Sequence, residues 1–195
     1  RTRANPHASL QSILTLQEAK LLYCRGQVHK AIQLLEPVEV IVSEVRAKMQ
    51  RGLNRVAPSE SERFQYAKRL LLATIWMQES GLKHGQQVID RFELALHLRP
   101  EWELGHVELG KYYDFLFTKK LEESAPKSEI TGDEEENITE DLRLKALYYY
   151  CKSLYYGGKY TYSSMPRMLT LFFELGLLVS SEKEALKHTA SSRSR

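Results

Sequence analysis

The sequence predicts an all-α fold, an α–α superhelix in which helical hairpins stack as a solenoid. Three observations carry this. Apolar residues recur at spacings of three and four through most of the 195 residues, the period of one helix face. Paired strand candidates are lacking: the segment 38–45 holds four valines and an isoleucine, yet no second segment matches it, so it is assigned to helix. Between Val88 and Asp114 a complete hairpin can be read. Val88, Phe92 and Ala95 share one face, Pro100 restarts the chain, and Leu109, Gly110 and Tyr113 line the next helix. Gly110 is expected opposite Val88 and Phe92, where a small residue lets two helices approach. Such a unit cannot bury its apolar face alone, so the rest of the chain should supply stacking partners.

The elements follow in order. Residues 1–8 are polar with Pro6 and read as a ragged end. Ser9 is expected to cap a first helix with Leu10, Ile13, Leu14, Leu21 and Leu22 as its apolar stripe and Ala19 as its small contact. Gly26 should end it, and a partner from about Val28 should turn Ala31, Leu34 and Leu35 inward. The phasing Ala19, Gly26, Ala31 is tetratricopeptide-like. Pro37 ends or kinks this partner, because proline lacks the amide donor and clashes with the preceding turn. Residues 51–59 read as a connection. Ser59 and Glu62 form a capping box for a helix running to about Glu79. Tyr66, Leu70, Ala73 and Met77 mark one face and Leu71, Leu72 and Ile75 lie beside it, a breadth that calls for neighbours on two sides. Ser80 and Gly81 should stop it. Trp102, just after the Pro100 turn, is expected to pack between helices.

A change of character follows Thr118. Residues 129–141 contain Glu129, Asp133, Glu134, Glu135, Glu136, Glu140 and Asp141. That density repels itself, so residues of about 122–140 are expected to form an acidic disordered loop between two helices of one hairpin. The spacing of GDEEENITED is not that of a calcium loop, and Asn137-Ile138-Thr139 is only a formal glycosylation sequon. Helix should resume at Asp141, with Ala146, Tyr150 and Ser153 repeating the spacing of Val88, Phe92 and Ala95, and Gly157-Gly158 ending it. Tyr148, Tyr149, Tyr150, Tyr155, Tyr156, Tyr160 and Tyr162 do not make a base-stacking platform, since only Lys145, Lys152 and Lys159 accompany them; they are expected to pack with hydroxyls at a rim. Ser164 then caps a last helix, with Pro166 in its first turn. Its Met165, Met168, Leu169, Phe172 and Phe173 spread over so much of its circumference that it must be enclosed, whether by this chain or by missing sequence. Residues 9–180 thus form the helical repeat segment, and residues 181–195 a polar tail.

Composition bounds the function. Hydrophobic residues make up 43% and charged residues 27%, with 10 Gly and 6 Pro, which excludes a disordered or collagen-like chain. The net charge of +3 is modest, and arginines at the ends contribute to it, so no direct nucleic-acid surface is expected. Cys24 and Cys151 sit in helical patterns and are expected to be buried, reduced thiols. The longest apolar run, 165–179, is interrupted by Arg167 and Glu174, so no membrane span is expected. The chain opens without an initiator methionine and ends in SSRSR, as expected of a segment of something larger.

Short motifs make the assignment more specific. Pro100-Glu101-Trp102-Glu103, Gly105-His106, Lys111-Tyr112-Tyr113-Asp114 and above all the run from Ser164 to Leu171, SMPRMLTL, resemble the FAT domain of the phosphatidylinositol-3-kinase-related protein kinases, closest to the ATR-type DNA-damage checkpoint kinases. The resemblance runs from about residue 14 to 177. It implies a slice of a large nuclear kinase whose FAT helices form a curved solenoid around the catalytic domain, beside further FAT and HEAT-type helices. It also implies a parent that phosphorylates Ser or Thr followed by Gln, uses ATP with Mg or Mn, and works with an ATR-interacting subunit. The acidic insertion and the region 37–52 depart from the pattern of animal members.

No catalytic, cofactor-binding or metal-binding residue is assigned within the segment. Phosphoryl transfer needs a nucleotide-cradling loop, a phosphate-contacting lysine and metal-binding acids. The chain has no Gly-rich kinase loop, and Asp114-Phe115 is followed by Leu116 rather than Gly. His106 near Glu103 and Glu108 lacks a nucleophile partner and reads as a packing or capping histidine. Two function classes follow: a noncatalytic scaffold supporting an attached kinase, or an independent tetratricopeptide-like adaptor holding a peptide in its concave groove. The expected inward positions carry Leu, Tyr, Phe and Ala, which favours permanent packing over peptide capture.

Overall fold

The computed structural model describes residues 6–35, 60–123 and 132–176, with the backbone alone for 6–9 and 132–140. These residues form α1 (Pro6–Cys24), α2 (Val28–Leu35), α3 (Glu60–Glu79), α4 (Gln86–Leu98), α5 (Glu103–Glu123), α6 (Gly132–Tyr155), a 3-10 turn (Tyr162–Ser164) and a last helix, α7, over residues 165–176. There is no strand among the described residues, so the fold is all-α, consistent with a helical solenoid. The segment 38–45 and the Ser59 cap lie outside the described residues, as do Glu129 and residues 177–195. The chain divides into two compact units, Arg1–Glu108 and Leu109–Arg195, with the boundary inside α5.

In the first unit, α1 packs on α2, α3 on α4, and α3 also touches α1 and α2. The breadth of apolar surface on α3 is thereby used on more than one side. Gly26 and Gly81 end α1 and α3 at φ 76° and φ 70°. In each case the next residue reaches back to the last turn: Gln27 N–H donates to Leu22 O at 2.9 Å and Leu82 N–H to Met77 O at 2.9 Å. A side chain would strain that left-handed conformation, which is why glycine stands there.

The first helix departs from expectation in two ways. It begins at Pro6 rather than after a Ser9 cap, since a fixed φ and a missing amide suit the first helical position. Its burial is also rotated: Leu10, Ile13, Leu14 and Leu21 are exposed, while Leu16 and Ala19 are buried. They join a core cluster with Ala31, Ile32, Leu35, Ala73, Trp76 and Met77. Leu34, expected inward, is only half-buried, and Ile32 takes its place. The decisive neighbour is Trp76, on which Tyr23 stacks at 4.3 Å between centroids. The same tyrosine hydroxyl donates to Glu79 Oε2 at 2.6 Å. That hydrogen bond, aided by desolvation, raises the Tyr23 pKa, because the carboxylate accepts only from the neutral phenol.

Between α3 and α4 the expected face is confirmed: Val88, Phe92 and Ala95 are buried. A polar contact lies among them. Thr74 donates its hydroxyl to Leu70 O at 2.6 Å and accepts from Arg91 Nε at 3.3 Å. Both are buried, and buried polar groups must find partners of this kind. Arg69, partly buried between α3 and α1, donates to Ser12 O at 2.8 Å; burial lowers its pKa. The close approach of α4 and α5 occurs at Gly105, where a Cβ would stand 2.8 Å from Leu96 Cδ2 and 3.4 Å from the Trp102 ring.

Gly110 serves a different seam from the one expected. A Cβ there would meet Tyr150 Cδ1 at 3.0 Å, Cε1 at 3.1 Å and Ala146 O at 3.4 Å, so its partner is α6 and not Val88 and Phe92 on α4. The α5–α6 hairpin is the one in which Ala146, Tyr150 and Ser153 were expected to face inward, and all three are buried. Tyr113 stacks on Tyr149 at 5.6 Å and the Arg143 guanidinium lies 4.6 Å from the Phe117 centroid. Gly110→Leu should therefore overpack the second unit by about 1–3 kcal/mol, offset by up to about 1 kcal/mol of helix propensity. Gly110→Ala is expected near balance, its propensity gain set against a Tyr150 ring that must yield by a few tenths of an ångström. Urea midpoints followed by far-ultraviolet circular dichroism check both. A wild-type midpoint for the leucine variant would reject the close approach.

The acidic stretch is shorter as a connection than its charge suggests. Helix α5 runs to Glu123 and α6 already starts at Gly132, so Asp133–Asp141 are helical. Asp141 pairs with Lys145 one turn on, at 2.7 Å.

Candidate functional site

The two motifs that carry most of the resemblance, 111–114 on α5 and 164–171 at the start of α7, meet in the second unit. Arg167 donates from Nε to both carboxylate oxygens of Asp114, at 3.1 and 2.9 Å, and from Nη2 to Oδ1 at 2.8 Å. A planar guanidinium on a carboxylate in this way fixes angle as well as distance. The Asp114 side chain is 14% exposed and that of Arg167 38%, so the pair is only partly screened. The hydrogen bonds to Asp114 raise the Arg167 pKa against the opposing effect of burial. Asp114 is thus a structural anion, with its oxygens turned to a cation of the same chain.

Local sequence brings Arg167 to that point. Past the glycines that end α6, Thr161 and Ser164 are buried, and the Thr161 hydroxyl contacts that of Ser153. This ties the exit of α6 to the 3-10 turn that launches α7. Pro166 falls in the first turn of α7, where its missing amide costs nothing. Leu171 is fully buried and forms the second anchor of the helix.

The rest of α7 is open among the described residues. Leu169, Phe172 and Phe173 are 48%, 66% and 70% exposed, so the described residues do not supply the enclosure expected from this chain or from sequence outside it. Beside them an apolar groove of about 460 Å³ runs between α6 and α7, lined by Leu144, Leu147, Tyr148, Cys151, Phe172, Leu175 and Gly176. Cys151 and Cys24 are both free and exposed, not buried as expected. Of the seven tyrosines, Tyr150 is buried, whereas Tyr148, Tyr155, Tyr160 and Tyr162 are exposed. The expected packing therefore holds for Tyr150 and not for those four.

A second, smaller cleft of about 210 Å³ lies in the first unit, lined by Glu60, Arg63, Phe64, Leu98, Arg99, Pro100 and Glu101. The Arg99 guanidinium stands 4.2 Å from the Phe64 centroid and Trp102 meets the same ring edge-on at 5.7 Å. Trp102 therefore packs between helices, as expected. Two carboxylates balance two guanidinium groups here, so the cleft selects neither sign of charge. His106 is buried, and its Nε2 donates to Pro100 O at 2.7 Å, which ties α5 to the preceding turn.

Sequence reasoning did not find the Asp114–Arg167 pair, because no periodicity links two charges 53 residues apart. Among the described residues no group of three or more His, Cys, Asp or Glu converges to hold a metal. No described helix is long and apolar enough to cross a membrane.

A family model described as the FAT domain matches residues 2–170. The serine/threonine-protein kinase ATR of Arabidopsis thaliana is 27% identical over 196 residues, covering 87% of this chain and 7% of that protein. The protein of the same name from Oryza sativa subsp. indica is 30% identical over 135 residues, 62% of this chain and 5% of its own. Protein kinase rad3 of Schizosaccharomyces pombe is 24% identical over 199 residues, 94% of this chain and 8% of its own. The chain thus spans less than a tenth of the length of these curated relatives. No solved structure matches it. With a match across nearly the whole chain on a fold of helical hairpins, the chain belongs to the FAT domain family.

Proposed function

We propose that this segment is a noncatalytic helical scaffold within a nuclear serine/threonine-protein kinase of the DNA-damage and replication-stress checkpoint, where it supports and regulates the attached kinase domain. The observation that carries the reading is the open face of α7. Leu169, Phe172 and Phe173 expose adjacent apolar side chains to water, the kind of patch that marks an interaction face, while Arg167 and Leu171 anchor the helix that carries them. In the parent, further FAT and HEAT-type helices, and through them the kinase domain, cover this face. ATP with Mg or Mn belongs to that kinase domain. Within the segment, Asp114 is engaged by Arg167. An ATR-interacting subunit accompanies the parent, with no nucleic acid bound directly by this segment.

Leu169→Asp in the full-length parent tests the reading. A carboxylate placed in a covered apolar seam must be desolvated, move the helix or take up a proton. Phosphorylation of a Ser-Gln peptide by monodisperse enzyme should fall by about fivefold or more, equivalent to roughly 1 kcal/mol at the transition state. Protection of α7 from proteolysis should fall with it. Wild-type activity together with wild-type thermal stability would defeat the scaffold role and favour an independent adaptor.

A further inference from the structure

Arg167 holds Asp114, and it also opens a short sequence pattern. Of all the arginines in the chain, it alone has a serine or threonine three residues on, in the run Arg167-Met168-Leu169-Thr170. An arginine at that spacing before a hydroxyl is the element by which basophilic serine/threonine kinases select their acceptors, through acidic groups beside the active site. Thr170 is followed by Leu171 rather than Gln, so it does not suit the Ser/Thr-Gln specificity expected of the parent. It is exposed, and its hydroxyl donates to Pro166 O at 3.0 Å. Residues three and four apart share a flank of a helix, so Thr170 stands between Arg167 and Glu174, while Phe172, two residues on, faces elsewhere. Charge on this flank is felt at the guanidinium: the hydrogen bonds to Asp114 are the main cause of the raised Arg167 pKa, and Glu174 adds to the rise.

We propose that Thr170 is a phosphorylation site for a kinase that reads arginine three residues before its acceptor, and that the phosphate then competes with Asp114 for Arg167 and loosens α7 from α5. In the transfer, the γ-phosphoryl group of ATP passes to Thr170 Oγ1. Its bond to the β-phosphate oxygen breaks, ADP leaves, and the hydroxyl proton goes to the modifying kinase's catalytic base. The product carries about −1.5 to −2 charges at neutral pH, against a single charge on Asp114. One turn from Arg167, it offers the guanidinium the charge-assisted hydrogen bonds that Asp114 otherwise supplies. Asp114, whose side chain is 14% exposed, is then left as a carboxylate largely out of water without its cation. The same ion pair controls access. A kinase takes its acceptor segment extended and its arginine free, so Asp114 withholds the residue that must be read until α7 opens locally. Such a site goes beyond the scaffold reading and does not depend on it.

Full-length protein and ATP are incubated with calcium/calmodulin-dependent protein kinase, which reads an arginine at that spacing, and phosphate at Thr170 is timed by mass spectrometry against a blank without the added kinase. Wild type should be modified, and Asp114→Ala at least about fivefold faster, since its arginine is no longer withheld. Asp114→Ala/Arg167→Leu, in which the ion pair is equally absent, should fall at least about tenfold below Asp114→Ala. If that variant does not fold, Asp114→Ala/Arg167→Lys decides in the same direction. Amide exchange over α7 should be at least about tenfold faster in the phosphorylated protein than in the unmodified one, with no change in Thr170→Val treated in the same way. Absence of phosphate at Thr170 in both wild type and Asp114→Ala would overturn the site. Equal rates in Asp114→Ala and its double variant would overturn recognition through Arg167, and phosphate at Thr170 with unchanged exchange over α7 would overturn the competition with Asp114. Faster exchange combined with undiminished phosphorylation of the Ser-Gln peptide would support the site and its effect on α7 while counting against the scaffold reading, so the two fail separately.

Discussion

Phe92→Ala is expected to lower the stability of the first unit by about 3–5 kcal/mol, the cost of an aromatic side chain removed from a core that cannot close over the gap. Phe92 is 1% exposed and lies on the same face as Val88 and Ala95, both at 0%. The neighbours that would have to relax are constrained. Thr74 and Arg91 are buried and bonded to each other, and α3, which packs on α4, is also held against α1 and α2. A collapse of α4 onto α3 would break polar contacts that have no water to replace them. Both tryptophans of the chain, Trp76 and Trp102, lie in this unit, so urea unfolding followed by tryptophan fluorescence reads the loss selectively. Phe92→Leu keeps most of the volume and should lose less than half as much. Equal midpoints for wild type and Phe92→Ala would mean that the α3–α4 seam is not packed as described.

Asp114→Ala should cost about 2–3 kcal/mol. Breaking a buried ion pair by removing one partner typically costs about 3–5 kcal/mol, and the figure is reduced here because Arg167 is 38% exposed and partly solvated when left alone. The effect should be local. With Asp114 gone, α7 keeps Leu171 as its buried anchor but loses the contact that sets its angle on α5. Trypsin should then cut after Arg167 far faster than in wild type, with little change in the tryptophan signal of the first unit. Arg167→Lys separates charge from geometry: an ammonium cannot make the forked contact, so it should restore only part of the protection. The raised Arg167 pKa also has a defined sign. Its stabilisation is fully present throughout neutral pH and is lost only as the pH rises through that raised value. Unchanged cleavage at Arg167 in Asp114→Ala would show that Leu171 alone holds the helix.

The sequence by itself determined the helical class, the hairpins and several of their faces. It did so where small and bulky residues recur along one face at helical spacing. Val88, Phe92 and Ala95 on α4, and Ala146, Tyr150 and Ser153 on α6, are buried as their spacing requires. Helix ends marked by Gly26 and Gly81 were equally legible, because a positive φ is a local property. The motif residues were enough for the family. What only the tertiary structure decided are choices among equivalent faces and distant partners. Helix α1 carries leucines nearly all round, so its own periodicity names no inner side; the Tyr23–Trp76 stack and Ala19 against α2 and α3 choose Leu16 over Leu10 and Leu14. Gly110 could be recognised as a close-approach residue, but not that it admits Tyr150 rather than Phe92, since a glycine fits any neighbour that arrives. The acids of 133–141 repel one another in any conformation, and only the structure shows that the backbone from Gly132 onward is already helical. The Asp114–Arg167 pair was beyond reach for the same reason: Coulomb attraction depends on separation in space, and a one-dimensional pattern of charges carries none of it.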